Sequence, residues 1–351
     1  MPGGHWKWTA DERVDNNSDN FFREIPKPTS VDDWLAQYNE TGQTYKQFLR
    51  ECPWLSDRKL KYIRSLFVPT GTNLPQKYPH GKLYLLPLGE FDGVTTPNFT
   101  DLAEYAQLFF CLPVEVLPPV TLEIDKDVVY WVDTIESREQ SRYQAATRKS
   151  MRTAKYRLDS RFDDKSGHYQ LCVNSVLLKL KQCIPNDALC LMALTMSDLY
   201  DASTDLFVAG MAAGNHRVGT FSFCRYDPTL TFSTEFWYQL HNVIPVEVNE
   251  RRKLILQRSC KLLVHEISHL LGIDHCIWYS CCMNGSGHLS EDFEQSMHLC
   301  PVDLRKLQTL CNFDVVERYK ALLAFFEKHK MVTEAQWVRK RIGFIVQSAG
   351  K

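Results

Sequence analysis

Two stretches of this chain run almost without a polar side chain. Residues 189–196 form a nearly continuous apolar run, which suits a central strand buried on both faces. Residues 82–88 read as a first strand of the same unit, and 207–212 and 220–224 as shorter ones. Elsewhere the apolar positions recur at helical spacing: 99–110, 169–183 (ending before Ile184-Pro185), 254–271, 312–328 and 334–346. Residues 114–122 are extended and interrupted by Pro118-Pro119. The order strand, helix, strand, helix, three strands, long helix predicts an α/β domain built on one twisted, mixed sheet.

The flanks carry less pattern. Residues 1–30 are polar without a hydrophobic period and read as a loose arm. Helical stretches are expected within 31–68, with Trp34, Leu35, Tyr38, Tyr45, Phe48, Leu49, Trp54 and Leu55 facing inward. Prolines and glycines between 68 and 81 mark a linker. Residues 136–167 are rich in both signs of charge and read as a solvated connector. The aromatic-rich insertion 227–250 precedes the long helix and is placed to border a cleft. The expected division is an N-terminal arm with a short helical extension at 1–67, a main domain at 68–330, and a C-terminal helical tail at 331–351.

Composition narrows the function classes. The 351 residues are 44% hydrophobic and 12% aromatic, as a well-packed core requires. A net charge of −1 gives no electrostatic footprint for nucleic acid or an anionic membrane, so neither is an expected partner. No apolar run approaches the ~18 residues of a membrane span. The N-terminus lacks the apolar core of a signal peptide, and Pro2 excludes myristoylation. Twelve cysteines in such a chain are better read as reduced thiols and metal ligands than as disulfides. The expected compartment is the cytosol, the nucleus or both.

The chemistry concentrates in residues 265–275, HEISHLLGIDH. His265 and His269, four apart on a helix, share one face and can aim at one ion. Glu266 lies to the side of that face, placed to act on a ligand of the metal as general base. Gly272 permits the positive φ that ends a helix and turns the chain, returning His275 as third ligand. Three protein ligands leave a fourth tetrahedral position for water, the mark of a catalytic zinc. At ~5% per residue type, the five fixed positions recur by chance in roughly one such chain in ten thousand. Met283, eight residues beyond His275, fits the methionine turn that follows this motif in metzincins.

The residues that follow resemble one family within that clan. Cys276 adjoins the third histidine, Cys281 and Met283 follow, and Cys300-Pro301-Val302-Asp303 comes later. The pattern HExxHxxGxxHCxxxxCxM with a distant CxxC is that of the archaemetzincins. Residues 188–200, 219–226, 258–261 and 316–322 fit as well, and the resemblance covers about 80–325. It implies a metzincin-like catalytic domain, a zinc metallopeptidase acting on a peptide or protein, and a second zinc held by four cysteines. This chain departs at the fourth position, Asp303. An aspartate oxygen is an acceptable zinc ligand, so the expected second site is Cys276, Cys281, Cys300 and Asp303, with Cys282 or Cys311 as substitutes. His288 and His298 lie near that loop and read as solvated. Resemblance further implies that Met283 floors the catalytic site and that a strand at 220–223 is the sheet edge that binds extended substrate. The competing reading is a catalytically silent protein that keeps the fold to bind a peptide or partner; an intact Glu266 argues against it.

Overall fold

The computed structural model describes residues 21–55, 70–93, 96–126, 128–139, 148–164, 167–229 and 247–349. In chain order the elements are α1 (Trp34–Gln37), α2 (Tyr45–Glu51), α3 (Leu74–Lys77), β1 (Lys82–Leu88), α4 (Phe99–Phe110), β2 (Val114–Val116) and β3 (Thr121–Asp125). There follow β4 (Val128–Glu139), β5 (Arg148–Leu158), β6 (Ser160–Asp163), β7 (His168–Cys172), α5 (Val173–Cys183), β8 (Ala188–Thr195) and β9 (Asp198–Tyr200). The chain ends with β10 (Gly210–Ala213), β11 (Val218–Ser222), α6 (Val248–Leu270), α7 (Leu289–Glu294), α8 (Pro301–Cys311), α9 (Val315–Lys328) and α10 (Val332–Ala349).

Among the described residues the main sheet runs β10-β11-β8-β1-β2. Pairing is parallel from β2 through β1 and β8 to β11, and β10 closes one edge antiparallel to β11. Every residue of β8 is buried, as its unbroken apolar run requires of a strand covered on both faces. Side chains alternate between two cores. Leu83 and Leu85 of β1 join Met192 and Leu194 of β8 against α4, α6 and α9. Tyr84, Leu86, Leu191 and Ala193 face a second core with Val176, Leu177 and Leu180 of α5. The mixed α/β class holds, with two three-stranded sheets beside the main one.

Four local expectations change. The charge-rich stretch after residue 136 is in large part the antiparallel pair β4–β5, registered from Val129↔Leu158 to Glu139↔Arg148. Its alternation is legible only at the root, where Val129, Trp131 and Leu158 are buried; farther out, charge masks the period. Residues 169–172 are strand rather than helix, since β7 pairs with both β6 and β9 before α5 begins. The strand at 218–222 is interior, paired on both sides, so the edge is β10 and not residues 220–223. Tyr38 and Leu49 are exposed, whereas Trp34, Phe48 and Trp54 are buried as expected.

Residues 34–55 pack directly on the end of α6. Phe48, Cys52 and Trp54 belong to the core that contains Ile255, Leu263 and Ile267 of that helix. A helix leaves its last carbonyls without internal partners. Here Trp54 Nε1 donates to Leu270 O at 2.9 Å, Cys52 Sγ to Leu271 O at 3.4 Å, and Gln43 Nε2 to Gly272 O at 3.1 Å. Burying side chains such as Phe48 and Trp54 contributes roughly 1.5–3 kcal/mol each. The expected boundary at 67–68 falls outside the described residues, as do 1–20 and most of the 227–250 insertion. No described helix is long and apolar enough to cross a membrane.

Candidate metal centre and active-site cleft

The helix α6 carries His265 and His269 one turn apart, and their Nε2 atoms approach to 3.0 Å. Two imidazole nitrogens on one tetrahedral zinc stand about 3.3 Å apart. Leu271 ends the helix, and Gly272 follows with φ +88°, a conformation an L side chain rarely adopts. A Cβ there would also lie 2.9 Å from Pro53 Cδ. The turn returns His275, whose ring centroid is 5.4 Å from that of His265 and 4.7 Å from that of His269. One nitrogen from each of the three rings lies within 4.8 Å of the others.

Each ring's Nδ1 is already bonded. His265 Nδ1 meets Cys282 O at 2.8 Å, and His269 Nδ1 meets Ile273 O at 2.8 Å. His275 Nδ1 meets Glu40 Oε2 at 2.9 Å and Oε1 at 3.0 Å. Carbonyls and carboxylates only accept, so each Nδ1 carries a proton, which leaves Nε2 as the nitrogen that can ligate. Burial, with the charge of His275, pulls His265 down to about 4. Burial and both other rings push His269 well below its usual value. These two imidazoles are therefore neutral at pH 7, the form that ligates metal. Glu266 stands beside them, and burial, helped by the charge of Asp292, raises its carboxyl to about 8.

These groups floor a cleft of about 400 Å³ lined also by Trp34, Tyr38 and Glu40 from the N-terminal segment and Gly210, Met211 and Ala212 of β10. Among the described residues the outer edge of β10 has no strand partner. Gly210 lets the strand lie tight on β11, since a Cβ there would come 2.2 Å from Thr220 O. Met283 is fully buried, and its carbonyl accepts from Cys276 N at 2.7 Å, closing the loop after the third histidine.

A second cluster sits behind that loop. Cys276, Cys281, Cys300 and Asp303 are all buried and place one ligand atom each within 4.8 Å of the rest. Cys276 Sγ and Cys300 Sγ are 3.7 Å apart, where two thiolates on one tetrahedral zinc stand about 3.8 Å apart. Asp303 Oδ2 is 3.3 Å from Cys281 Sγ and 3.4 Å from Cys300 Sγ; sulfur and oxygen on one zinc stand about 3.5 Å apart. The sequence Cys-Pro-x-Asp is a helix start: Cys300 is the N-cap of α8, Pro301 its first residue, and Asp303 N donates to Cys300 Sγ at 3.4 Å. The positive end of α8 favours anionic groups there. Three residues on, Lys306 Nζ donates to Asp303 Oδ1 at 2.8 Å, with both side chains wholly buried. Hydrogen bonds from Cys281 and Cys300 favour a thiolate at Cys276, pulled down to about 3. Burial pushes the Cys281 and Cys300 thiols up.

Some expected alternatives lie elsewhere. Cys282 is outside the cluster, and its carbonyl instead fixes His265. Cys311 ends α8, away from the cluster at its start. His288 is not solvated; it bonds Asp33 at 3.2 Å and accepts from Glu291 N at the start of α7. His298 stacks on Trp337 at 3.8 Å. Three residues escaped the sequence reading. Asn284 knits the cysteine loop, accepting from Cys281 N and donating to Cys276 O and Tyr279 O, each at 2.7–2.8 Å. Lys306 offered only its i+3 spacing from Asp303 as a signal. Glu40, distant in sequence from His275, offered none.

Known proteins similar to this chain in sequence belong to one family. The family model described as Peptidase family M54 matches residues 235–309. Archaemetzincin-2 of Mus musculus is 37% identical over 319 residues, covering 85% of this chain and 73% of that protein. Archaemetzincin-2 of Macaca fascicularis is 37% identical with the same coverage. The crystal structure of archaemetzincin from Methanopyrus kandleri is 19% identical with a TM-score of 0.39, covering 69% of this chain and 97% of that one.

Proposed function

The chain belongs to the archaemetzincin family of zinc metallopeptidases, and from that premise we propose that it hydrolyses peptide bonds at the three-histidine centre with Glu266 as general base. One observation carries the reading: three imidazole nitrogens converge beside Glu266 on the floor of a cleft flanked by a strand edge without a partner among the described residues. The geometry of His265, His269 and His275 fits zinc. Bound there, zinc supplies Lewis acidity to a substrate carbonyl and lowers the pKa of water toward ~7.

The chain's own residues do the rest. Main-chain groups of Gly210, Met211 and Ala212 on β10 pair with an extended substrate as an added strand. Glu266 takes the proton of the attacking water at a carboxylate oxygen and returns it to the leaving amine. Burial favours holding the proton on Glu266, and the positive charge of a zinc held by the three rings would favour its release. Met283 packs beneath the rings as an apolar support. Cys276, Cys281, Cys300 and Asp303 would hold a second zinc, which would fix the loop that begins at the residue after His275. Closed on all sides, that site is structural. The substrate is a peptide or protein.

The test is Glu266→Gln in the zinc-loaded protein, assayed on a peptide library. Turnover should fall by ~10²–10⁴-fold while zinc content is unchanged. Undiminished cleavage by the variant sinks the assignment.

A further inference from the structure

The three Nδ1 acceptors are not equivalent. Two are main-chain carbonyls, Ile273 O in the turn after α6 and Cys282 O in the cysteine loop. The third is the carboxylate of Glu40, which lies 235 residues away in sequence. His265 and His269 are also aligned by the helix that carries them. His275 follows the turn at Gly272 and lacks that constraint. Its ring needs an external partner to hold Nε2 toward the other two, and an anionic acceptor holds an imidazole N–H more strongly than a carbonyl does.

Glu40 is itself held. Trp34 Nε1 donates to Glu40 Oε1 at 2.8 Å, and the indole meets the His275 ring edge-on with centroids 5.2 Å apart. The indole reaches this place because residue 285 is glycine; a Cβ there would lie 2.3 Å from Trp34 Cε2. Trp34 N donates to Glu291 Oε2 at 2.9 Å, fixing the same residue to α7. On the other side Gln43 Nε2 bonds Gly272 O at 3.1 Å and Asp274 Oδ2 at 3.0 Å, so the segment runs bonded along the turn that precedes His275.

We propose that Glu40 is a positioning residue of the catalytic centre: carried in by the N-terminal segment, its carboxylate fixes His275 with Nε2 toward the metal, so that residues 34–43 complete the site. The inference rests on the three-histidine zinc reading and adds to it a residue outside the motif. A carboxylate behind a ligating imidazole orients the ring and raises its basicity, and loss of such a partner costs ~10–100-fold in metal affinity or activity. Trp34 in turn positions Glu40 and forms part of the cleft wall.

The experiment uses the full chain and a zinc-buffer titration, with His265→Ala marking the signal of the cleft zinc. Glu40→Ala should weaken zinc at that site by ~10–100-fold, with a matching loss of zinc-induced thermal stabilisation, and should lower the melting temperature of the metal-free protein by no more than a few degrees through its lost bonds to His275 and Trp34. Glu40→Gln keeps the shape and an acceptor oxygen without the charge, and should fall between wild type and Glu40→Ala. It also serves if the alanine variant does not fold. Wild-type zinc affinity in both variants overturns the proposal, as does an equal loss of metal-free and zinc-loaded stability with affinity unchanged. If the wild-type protein itself holds no zinc that His265→Ala removes, the three-histidine reading fails instead.

Discussion

The two ligand clusters share a chain segment, since His275 and Cys276 are neighbours, yet they are built on opposite principles. The histidine cluster lines an open cleft, uses neutral donors and reaches outward for its supporting acceptors. The cysteine cluster is buried throughout, uses anionic donors, and compensates charge from within through Lys306 and the start of α8. An open position suits turnover and a closed shell suits structure. The difference also locates the stability risk. His265 and His269, neutral without metal, cost the metal-free fold little, whereas a buried ion pair depends on both partners staying in place.

Metal removal should separate the two most sharply. A chelator should strip the cleft zinc first and abolish cleavage while the second zinc remains, and added zinc should restore turnover. Zinc content followed alongside peptide cleavage reads this directly. Simultaneous loss of both ions, or retained cleavage with the cleft ion gone, breaks the distinction between an open and a closed site.

Stability should separate them next. Asp303→Asn leaves the Lys306 ammonium wholly buried without its charge partner, an error costing ~3–5 kcal/mol of unfolding free energy. His275→Asn removes a partly exposed ring whose main bond is to Glu40, and should cost about 1 kcal/mol in the metal-free protein. Urea unfolding of the two metal-free variants makes the comparison. Equal costs would mean that the cleft cluster carries as much of the fold as the buried one.

Both clusters were legible in the sequence to different depths, and the reason is locality. His265, Glu266, His269, Gly272 and His275 lie within one helix and its turn, where spacing alone sets geometry. Cys276, Cys281, Cys300 and Asp303 were marked by resemblance to a family pattern, and only the fold shows that Cys300 caps a helix. The buried strand β8 was readable because a strand covered on both faces must be apolar throughout. What failed was non-local or masked. The edge position belongs to β10 because β11 pairs with β8 on its other side, which no local pattern encodes. The hairpin β4–β5 hid under its charges, and Glu40 meets His275 only through the fold.

The cleft site leans on the N-terminal segment, and that segment has an acid-sensitive anchor that the cysteine cluster lacks. Backbone N–H groups of Ser30 and Thr29, at 2.9 and 2.6 Å, together with His288 hold the Asp33 carboxyl down at about 2 from an ordinary 3.8. The folded chain therefore keeps this carboxylate while the unfolded chain takes up a proton. Its contribution is complete above pH 3.8 and is lost as pH falls from there toward about 2. Asp33→Asn should flatten the pH dependence of unfolding within that window and leave the slope above it unchanged. Urea midpoints between pH 5 and 2 check it; an identical acid limb in the variant removes Asp33 from the account.

The smallest expected effect concerns the residue that sets the two clusters most apart. Asp303→Cys would turn the buried donor set from three sulfurs and an oxygen into four sulfurs. A Cys Sγ reaches less far from the backbone than an Asp Oδ, but Zn–S is about 0.3 Å longer than Zn–O, which recovers much of the gap. Softer ligation favours zinc. Against that, Lys306 loses the oxygen it donates to at 2.8 Å and stays buried. The two effects oppose, so the single variant should gain only a few-fold in zinc affinity at that site and lose stability when metal-free. Adding Lys306→Met removes the stranded ammonium and should recover that stability, a coupling visible in a double-mutant cycle. Strict additivity of the two substitutions would show that Lys306 does not act through Asp303, and the contrast in charge compensation between the clusters would fall with it.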